Sequence, residues 1–272
     1  MNTERVNVTV DEDGIAQVRL SRPDKMNALD AGMFEQLVAA GDRLRNESSV
    51  RAVVMHGEGR AFCAGLDMAC FESLQAGRGL GIAGGSASLA DRTRGIANDA
   101  QYAAMVWRAV PVPVIAAIHG VAFGGGLQVA LGADVRFVAP DARLSVMEIK
   151  WGLVPDMAGT LLLSELVRAD LVRELTFSGR MVHGEEAVQI GLATRLCSDP
   201  LDEAMQFARE IAGRSPSAIR AAKRLLNGAS DRDAAGMLLA ESTEQDALLG
   251  GADQIEAVRA NLEKRAPKFS PR

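Results

Sequence analysis

Apolar and polar residues alternate twice near the start of the chain. Val6, Val8 and Val10 form the first run and residues 15–20 the second, with Gly14 between them. A period of two marks a half-buried strand and a glycine between two such runs marks a turn, so the pattern predicts a β-hairpin. The period then lengthens. Asp30 is placed to cap a helix whose apolar face is Met33, Leu37 and Leu44. Residues 52–55 and 112–118 are continuous apolar runs of strand length, the second introduced by Pro111 and Pro113. Further strands are expected at 135–138 and 143–146. From Asp202 onward the pattern is helical. Strands alternating with helices, followed by helices alone, define an α/β fold, with a core over residues 1–200 and a helical C-terminal segment over 201–272.

Two glycine-rich loops each follow a buried run. Residues 60–67 read RAFCAGLD, and residues 119–127 read HGVAFGGGL and open a helix that the pattern carries to about residue 133. The first N–H groups of a helix lack partners and carry partial positive charge. Two such loops can aim one N–H each at a single oxygen and so form an oxyanion hole. Tight loop packing is the competing explanation. Glu148 follows the 143–146 strand among Val146, Met147 and Ile149, a setting that would desolvate its carboxylate and suit it to general-base work. A surface or ion-paired glutamate is the plainer alternative. Asp156 sits in the apolar stretch GLVPD before a helix expected from about Gly159, as a second acid/base candidate or as a helix N-terminal charge. His56 and His119 each precede a glycine and read as hydrogen-bonded structural imidazoles.

Composition narrows the function classes. The 272 residues include 30 basic and 35 acidic side chains, a formal net charge of −5. Nucleic-acid and anionic-membrane binding call for a basic footprint, and aromatics at 4% are thin for base stacking. Hydrophobic residues at 48% and charged residues at 24% fit a globular chain with a substantial core. No apolar run reaches membrane-span length, and residues 1–13 are charged and lack the apolar stretch of a secretory signal, so a cytoplasmic location is expected. Cys63, Cys70 and Cys197 match neither a disulfide framework nor a zinc spacing, and no metal site is expected. Residues 79–84 spell GLGIAG, a literal G-x-G-x-x-G. The polar residues before it are no strand, so a dinucleotide site is not supported. The surrounding Gly/Ala/Ser-rich stretch, residues 75–88, reads as a loop of a lid, with mobility expected over 71–99.

Taken in order, RPDKMNAL at 22–29, residues 61–67, residues 113–118 with the triple glycine 124–126, Glu148 through Gly159-Thr160, Gly179-Arg180, residues 187–192 and LEKR at 262–265 resemble the enoyl-CoA hydratase/isomerase, or crotonase, superfamily over nearly the whole chain. The resemblance implies a spiral of β-β-α units and a thioester enolate held by the backbone N–H groups of Leu66 and Gly125. It implies coenzyme A contacts from Lys25, Ala28 and Ala64, with Lys264 near the 3′-phosphate end, and places Asp67, Met68 and Gln128 at the substrate. No cofactor is implied beyond the coenzyme A of the acyl-CoA substrate, and no nucleic-acid or membrane partner. A homotrimer or hexamer is implied, with the helical C-terminal segment serving oligomerisation and covering the site. Of the two glutamates of a typical hydratase, Glu148 matches one and Gln128 stands at the other. Asp156 stands where hydratases usually have glycine and the dienoyl-CoA isomerase branch has aspartate. Double-bond isomerisation with Glu148 and Asp156 as the catalytic pair is therefore expected. Hydration of a 2-enoyl-CoA is the alternative, and a non-catalytic RNA-binding member is a distant one.

Overall fold

The computed structural model describes residues 4–75 and 88–269. The glycine stretch 79–84 and much of the expected lid lie outside the described residues. Strands β1 (Val6–Val10) and β2 (Ile15–Leu20) form the expected hairpin, with Val6 opposite Leu20. Helix α1 (Ala31–Asn46) starts where predicted: the Asp30 carboxylate accepts from the Met33 N–H at 2.8 Å, and Met33, Leu37 and Leu44 are buried. Strand β3 (Ala52–Gly57) leads to α2 (Met68–Gln75). Next come α3 (Asp99–Ala109), β4 (Val114–Ile118), β5 (Val121–Phe123) and α4 (Gly125–Leu131). They are followed by β6 (Val135–Val138), β7 (Arg143–Ser145), α5 (Gly159–Leu166) and α6 (Ala169–Ser178). Strand β8 (Val182–His183), α7 (Gly184–Gln189) and β9 (Arg195–Leu196) complete the sheets. The chain ends in α8 (Pro200–Ala212), α9 (Pro216–Asn227), α10 (Ala234–Leu248) and α11 (Ala252–Leu262).

Among the described residues the larger sheet runs β1-β2-β3-β4-β6-β9, and the smaller runs β5-β7-β8. Apart from the β1–β2 hairpin, the large sheet is parallel throughout. A single bridge sets Cys63 parallel to Ala122 of β5, which in turn is parallel to β7. The repeat is therefore β3–Cys63–α2, then β4–β5–α4, then β6–β7–α5. Each turn lays one strand on the large sheet and then a strand of the small sheet, or at Cys63 a single residue bridged to it, before its helix. This is the β-β-α spiral.

Every residue of β3 and β4 is buried, which is why those segments read as continuous apolar runs. Period-two alternation persists inside them. Val53 and Met55 face the main core under α1 and α3, whereas Ala52 and Val54 face the opposite side with Ile115, Ala117 and Phe137. That second face is covered by α8 through Ala204, Met205 and Ala208. Helix α9 is fastened by Lys223, whose buried Nζ donates to Trp107 O at 3.1 Å, Val112 O at 2.9 Å and Asp134 Oδ2 at 2.7 Å. Helix α10 buries no residue in the single chain.

Candidate active site

A cavity of about 420 Å³ opens where the two glycine loops meet the turn after β7. Its walls include Leu29, Phe34, Ala64, Gly65, Leu66, Met68 and Phe71 on one side. Gly124, Gly125, Gln128, Glu148, Trp151, Asp156 and Met157 are among those on the other. The spiral explains the convergence. Cys63 and Ala122 are paired positions on adjacent turns. Leu66 and Gly125 each lie three residues further on, so their N–H groups stand at equivalent points of successive turns. On the next turn Ala122 pairs with Leu144, and Glu148 follows four residues later.

The two N–H groups are free for a ligand because their neighbours carry the local bonding. Gly65 O accepts from Leu29 N at 2.8 Å, and Asp67 N donates to Leu29 O at 3.0 Å. Successive N–H groups of an extended segment point to opposite sides, so the Leu66 N–H points away from Leu29. Gly125 is the first residue of α4, a position whose N–H has no intrahelical acceptor. Among the described residues neither N–H has a protein acceptor. The loops approach closely enough to require glycine. Gly65 has φ +87°, and a Cβ there would stand 2.6 Å from Phe123 O. Gly124 has φ +49°, and a Cβ there would stand 3.2 Å from Glu148 Oε1.

Glu148 heads a short 3-10 turn, Glu148–Trp151, and is buried. Its Oε1 accepts from Gln128 Nε2 at 2.6 Å, while its buried Oε2 has no partner among the described residues. Burial pushes its pKa up, the hydrogen bond from Gln128 opposes this, and the nearby Asp156 charge adds to it. Burial also raises Asp156. Two carboxyls sharing a desolvated cavity, each raised, form an arrangement suited to one holding a proton while the other is ionised.

Gln128 has a role that sequence reasoning missed. Its Oε1 accepts from both Met157 N and Gly159 N, each at 2.8 Å. The two N–H donors require the amide oxygen there, which turns the NH₂ toward Glu148. One buried side chain therefore orients Glu148, satisfies an orphan N–H at the start of α5, and pins the segment that carries Asp156. It also spans Ala158, a non-glycine residue in the left-handed region at φ +67°. Sequence could only show that position 128 is not ionisable, since its partners lie 20 to 31 residues away.

The remaining expected residues divide between the cavity rim and the structure around it. Asp67 does not line the cavity. It forms an ion pair with Arg22 and accepts from Ala69 N at 2.8 Å. Burial would raise its pKa, but the Ala69 N–H and the Arg22 guanidinium outweigh burial and lower it. Met68 stands at the rim, 56% exposed. Lys25 and Ala28 lie outside the cavity wall but beside it. Ala28 N donates to Lys25 O at 3.0 Å, and Ala64 N to Met26 O at 2.9 Å, which ties residues 25–28 to Ala64. The buried Asn27 secures this corner through Nδ2, which donates to Glu58 O, Ala61 O and Phe62 O. Lys264 lies in a left-handed turn after α11 and does not line the cavity of its own chain. His119 Nε2 is 2.9 Å from Gly59 O. Cys63 is fully buried, which pushes its thiol up to about 12. Among the described residues there is no cluster of three or more His, Cys, Asp or Glu that could hold a metal, and no helix long and apolar enough to cross a membrane.

Comparison with known proteins agrees with this architecture. The family described as enoyl-CoA hydratase/isomerase matches residues 11–272. The Δ(3,5)-Δ(2,4)-dienoyl-CoA isomerase of Mus musculus mitochondria is 32% identical, covering 98% of this chain and 82% of that one. A probable enoyl-CoA hydratase of Mycobacterium bovis is 36% identical, covering 94% and 96%. The crystal structure of an enoyl-CoA hydratase from Bacillus anthracis superposes with a TM-score of 0.86 at 25% identity, covering 99% and 100%. The chain belongs to the enoyl-CoA hydratase/isomerase family and has its crotonase fold. It is an enzyme of that family, whose relatives include both a hydratase and an isomerase by name.

Proposed function

We propose that this enzyme moves a double bond along an enoyl- or dienoyl-CoA thioester by proton transfer. The observation that carries the reading is the state of Gln128. At the position where a hydratase pair would place the partner glutamate of Glu148, this side chain is neutral, and its amide is spent on Met157, Gly159 and Glu148. It is not available to activate water, and the second carboxyl of the cavity is Asp156 instead.

The thioester oxygen accepts from the Leu66 and Gly125 N–H groups, each worth on the order of 3 kcal/mol as charge develops on it. Glu148 Oε2 removes a proton from a carbon acidified by the conjugated thioester, and the electron pair delocalises into a dienolate. Asp156, protonated, returns a proton at another carbon. One proton leaves and one arrives, so substrate and product have the same mass. The coenzyme A portion runs over Lys25, Ala28 and Ala64 toward Lys264 of a neighbouring subunit in a trimer or hexamer. Support for assembly comes from Ile255, Val258 and Leu262, which α11 leaves exposed in the single chain.

The test is a product-mass assay in D₂O with a 3,5-dienoyl-CoA and with crotonyl-CoA. The expected product is the isomerised thioester carrying one deuterium and no added water, with Asp156→Asn slowing isomerisation at least about 10²-fold. Efficient water addition to crotonyl-CoA that ignores Asp156→Asn overturns the proposal in favour of hydration by Glu148 alone.

A further inference from the structure

We infer that the acyl end of this cavity selects an uncharged, apolar chain, with the stacked rings of Phe71 and Trp151 forming the wall that sets its length. The inference rests on the thioester reading above and adds the substrate class to it.

Both rings line the same cavity as the reacting groups and are joined to them in sequence. Phe71 is on α2, which begins two residues after Leu66. Trp151 closes the same 3-10 turn that Glu148 opens. The elements that carry one N–H donor and the base therefore run straight into the two rings, which meet at 4.2 Å between centroids and 23° between planes. A chain leaving the carbonyl between those elements runs into the stack.

The surroundings name the occupant. Met68, Leu89, Leu153 and Val154 join Trp151 at the rim, and all five are between 42% and 69% exposed. A contiguous exposed apolar rim around a concave site is the signature of an apolar ligand surface. It is continuous with the catalytic cavity, so the occupant is the acyl chain of the thioester itself. At about 420 Å³ the cavity falls in the size range of small-molecule sites. Charge sharpens the choice. The ionisable side chains that line the cavity among the described residues are Glu148 and Asp156, both acids already raised by burial. A carboxylate at the far end of the acyl group would be desolvated with no cationic side chain among the described lining residues to pair it.

The inference is tested by calorimetric binding of saturated thioesters, which can neither isomerise nor hydrate. Across butanoyl-, hexanoyl-, octanoyl- and decanoyl-CoA, Kd should fall about fourfold per buried methylene and then level off where the chain meets the stack. Trp151→Ala, and separately Phe71→Ala, should move the levelling point to a longer chain. Both variants are checked for native circular dichroism. Glutaryl-CoA should bind at least about tenfold more weakly than its neutral isostere 5-methylhexanoyl-CoA. Equal affinity for that pair, or a levelling point that neither variant moves, overturns the inference while leaving the thioester reading intact. Failure of every thioester to bind overturns both.

Discussion

Replacing Gln128 with methionine keeps the length and volume of the side chain and deletes its polar end. Three hydrogen bonds go with it: those from Met157 N and Gly159 N at 2.8 Å, and the one to Glu148 Oε1 at 2.6 Å. Gln128 is 2% exposed, so water does not take over its work. Each orphaned N–H costs about 1–3 kcal/mol, and the lost bond to a carboxylate a similar amount. Relaxation of Ala158 out of its left-handed conformation returns about 1 kcal/mol. The net expectation for Gln128→Met is a loss of about 2–8 kcal/mol, a substantial share of the roughly 5–15 kcal/mol typical of a folded domain. Urea unfolding at fixed protein concentration measures it, since self-association would otherwise enter the midpoint. The catalytic readout moves as well. Gln128 lowers the Glu148 pKa, so its removal shifts the acid limb of the pH–rate profile to higher pH. A loss below about 1 kcal/mol at an unchanged m-value would refute the view that Gln128 holds the site together.

Glu148→Gln should cut turnover at least about 10²-fold. It should also stabilise the fold at neutral and alkaline pH. The folded-state pKa of Glu148 is raised, so its favourable contribution is complete below the ordinary carboxylate range and is lost as pH rises through the folded value. The variant's advantage in thermal unfolding should therefore be near zero at about pH 4 and grow above it; an advantage that grows on acidification contradicts the assignment. Gly125→Pro should lower turnover about 10²–10³-fold by deleting an N–H donor at a helix position that tolerates proline. Gly125→Ala is the necessary comparison, because either substitution brings a Cβ to 2.8 Å from Leu29 Cδ1 and from Met157 Sδ. Equal losses in the two variants would assign the effect to crowding rather than to the N–H.

Local signals carried most of the fold. The hairpin, the Asp30 cap and the buried β3 and β4 runs were all legible, because each depends on neighbours in sequence or on simple periodicity. Strand β5 was not. Its three residues lie between glycines, read as loop, and are strands only because Cys63 and β7 flank them from distant turns. The 112–118 strand starts two residues later than expected, since Pro113 has no N–H to enter the ladder. The helix after the triple glycine stops at Leu131 with Gly132 as its cap. For the site, residue types and motif order pointed to Glu148, Asp156, Leu66 and Gly125, all of which line one cavity. What stayed hidden was partnership. Asp67 looks like a cavity carboxylate in sequence and is committed to Arg22 in the fold. Gln128 looks like a lost acid and is held by three side-chain hydrogen bonds that tie Glu148 to the Asp156 segment.

The equal offsets of Leu66 and Gly125 from the Cys63–Ala122 pairing have an evolutionary reading. The two donors are main-chain groups, and their spacing is inherited from the strand-to-strand repeat of about 4.8 Å, which is a property of peptide hydrogen bonding. Drift can replace nearly every side chain around such a pair without moving it, provided the glycines that allow close approach persist. The carboxylates enjoy no such protection, because each hangs on a side chain and on another side chain that orients it. On the function proposed above, a lineage built this way would keep its means of polarising a carbonyl while its proton-handling groups turn over. That accords with a family in which relatives sharing about a third of this sequence bear the names of different reactions.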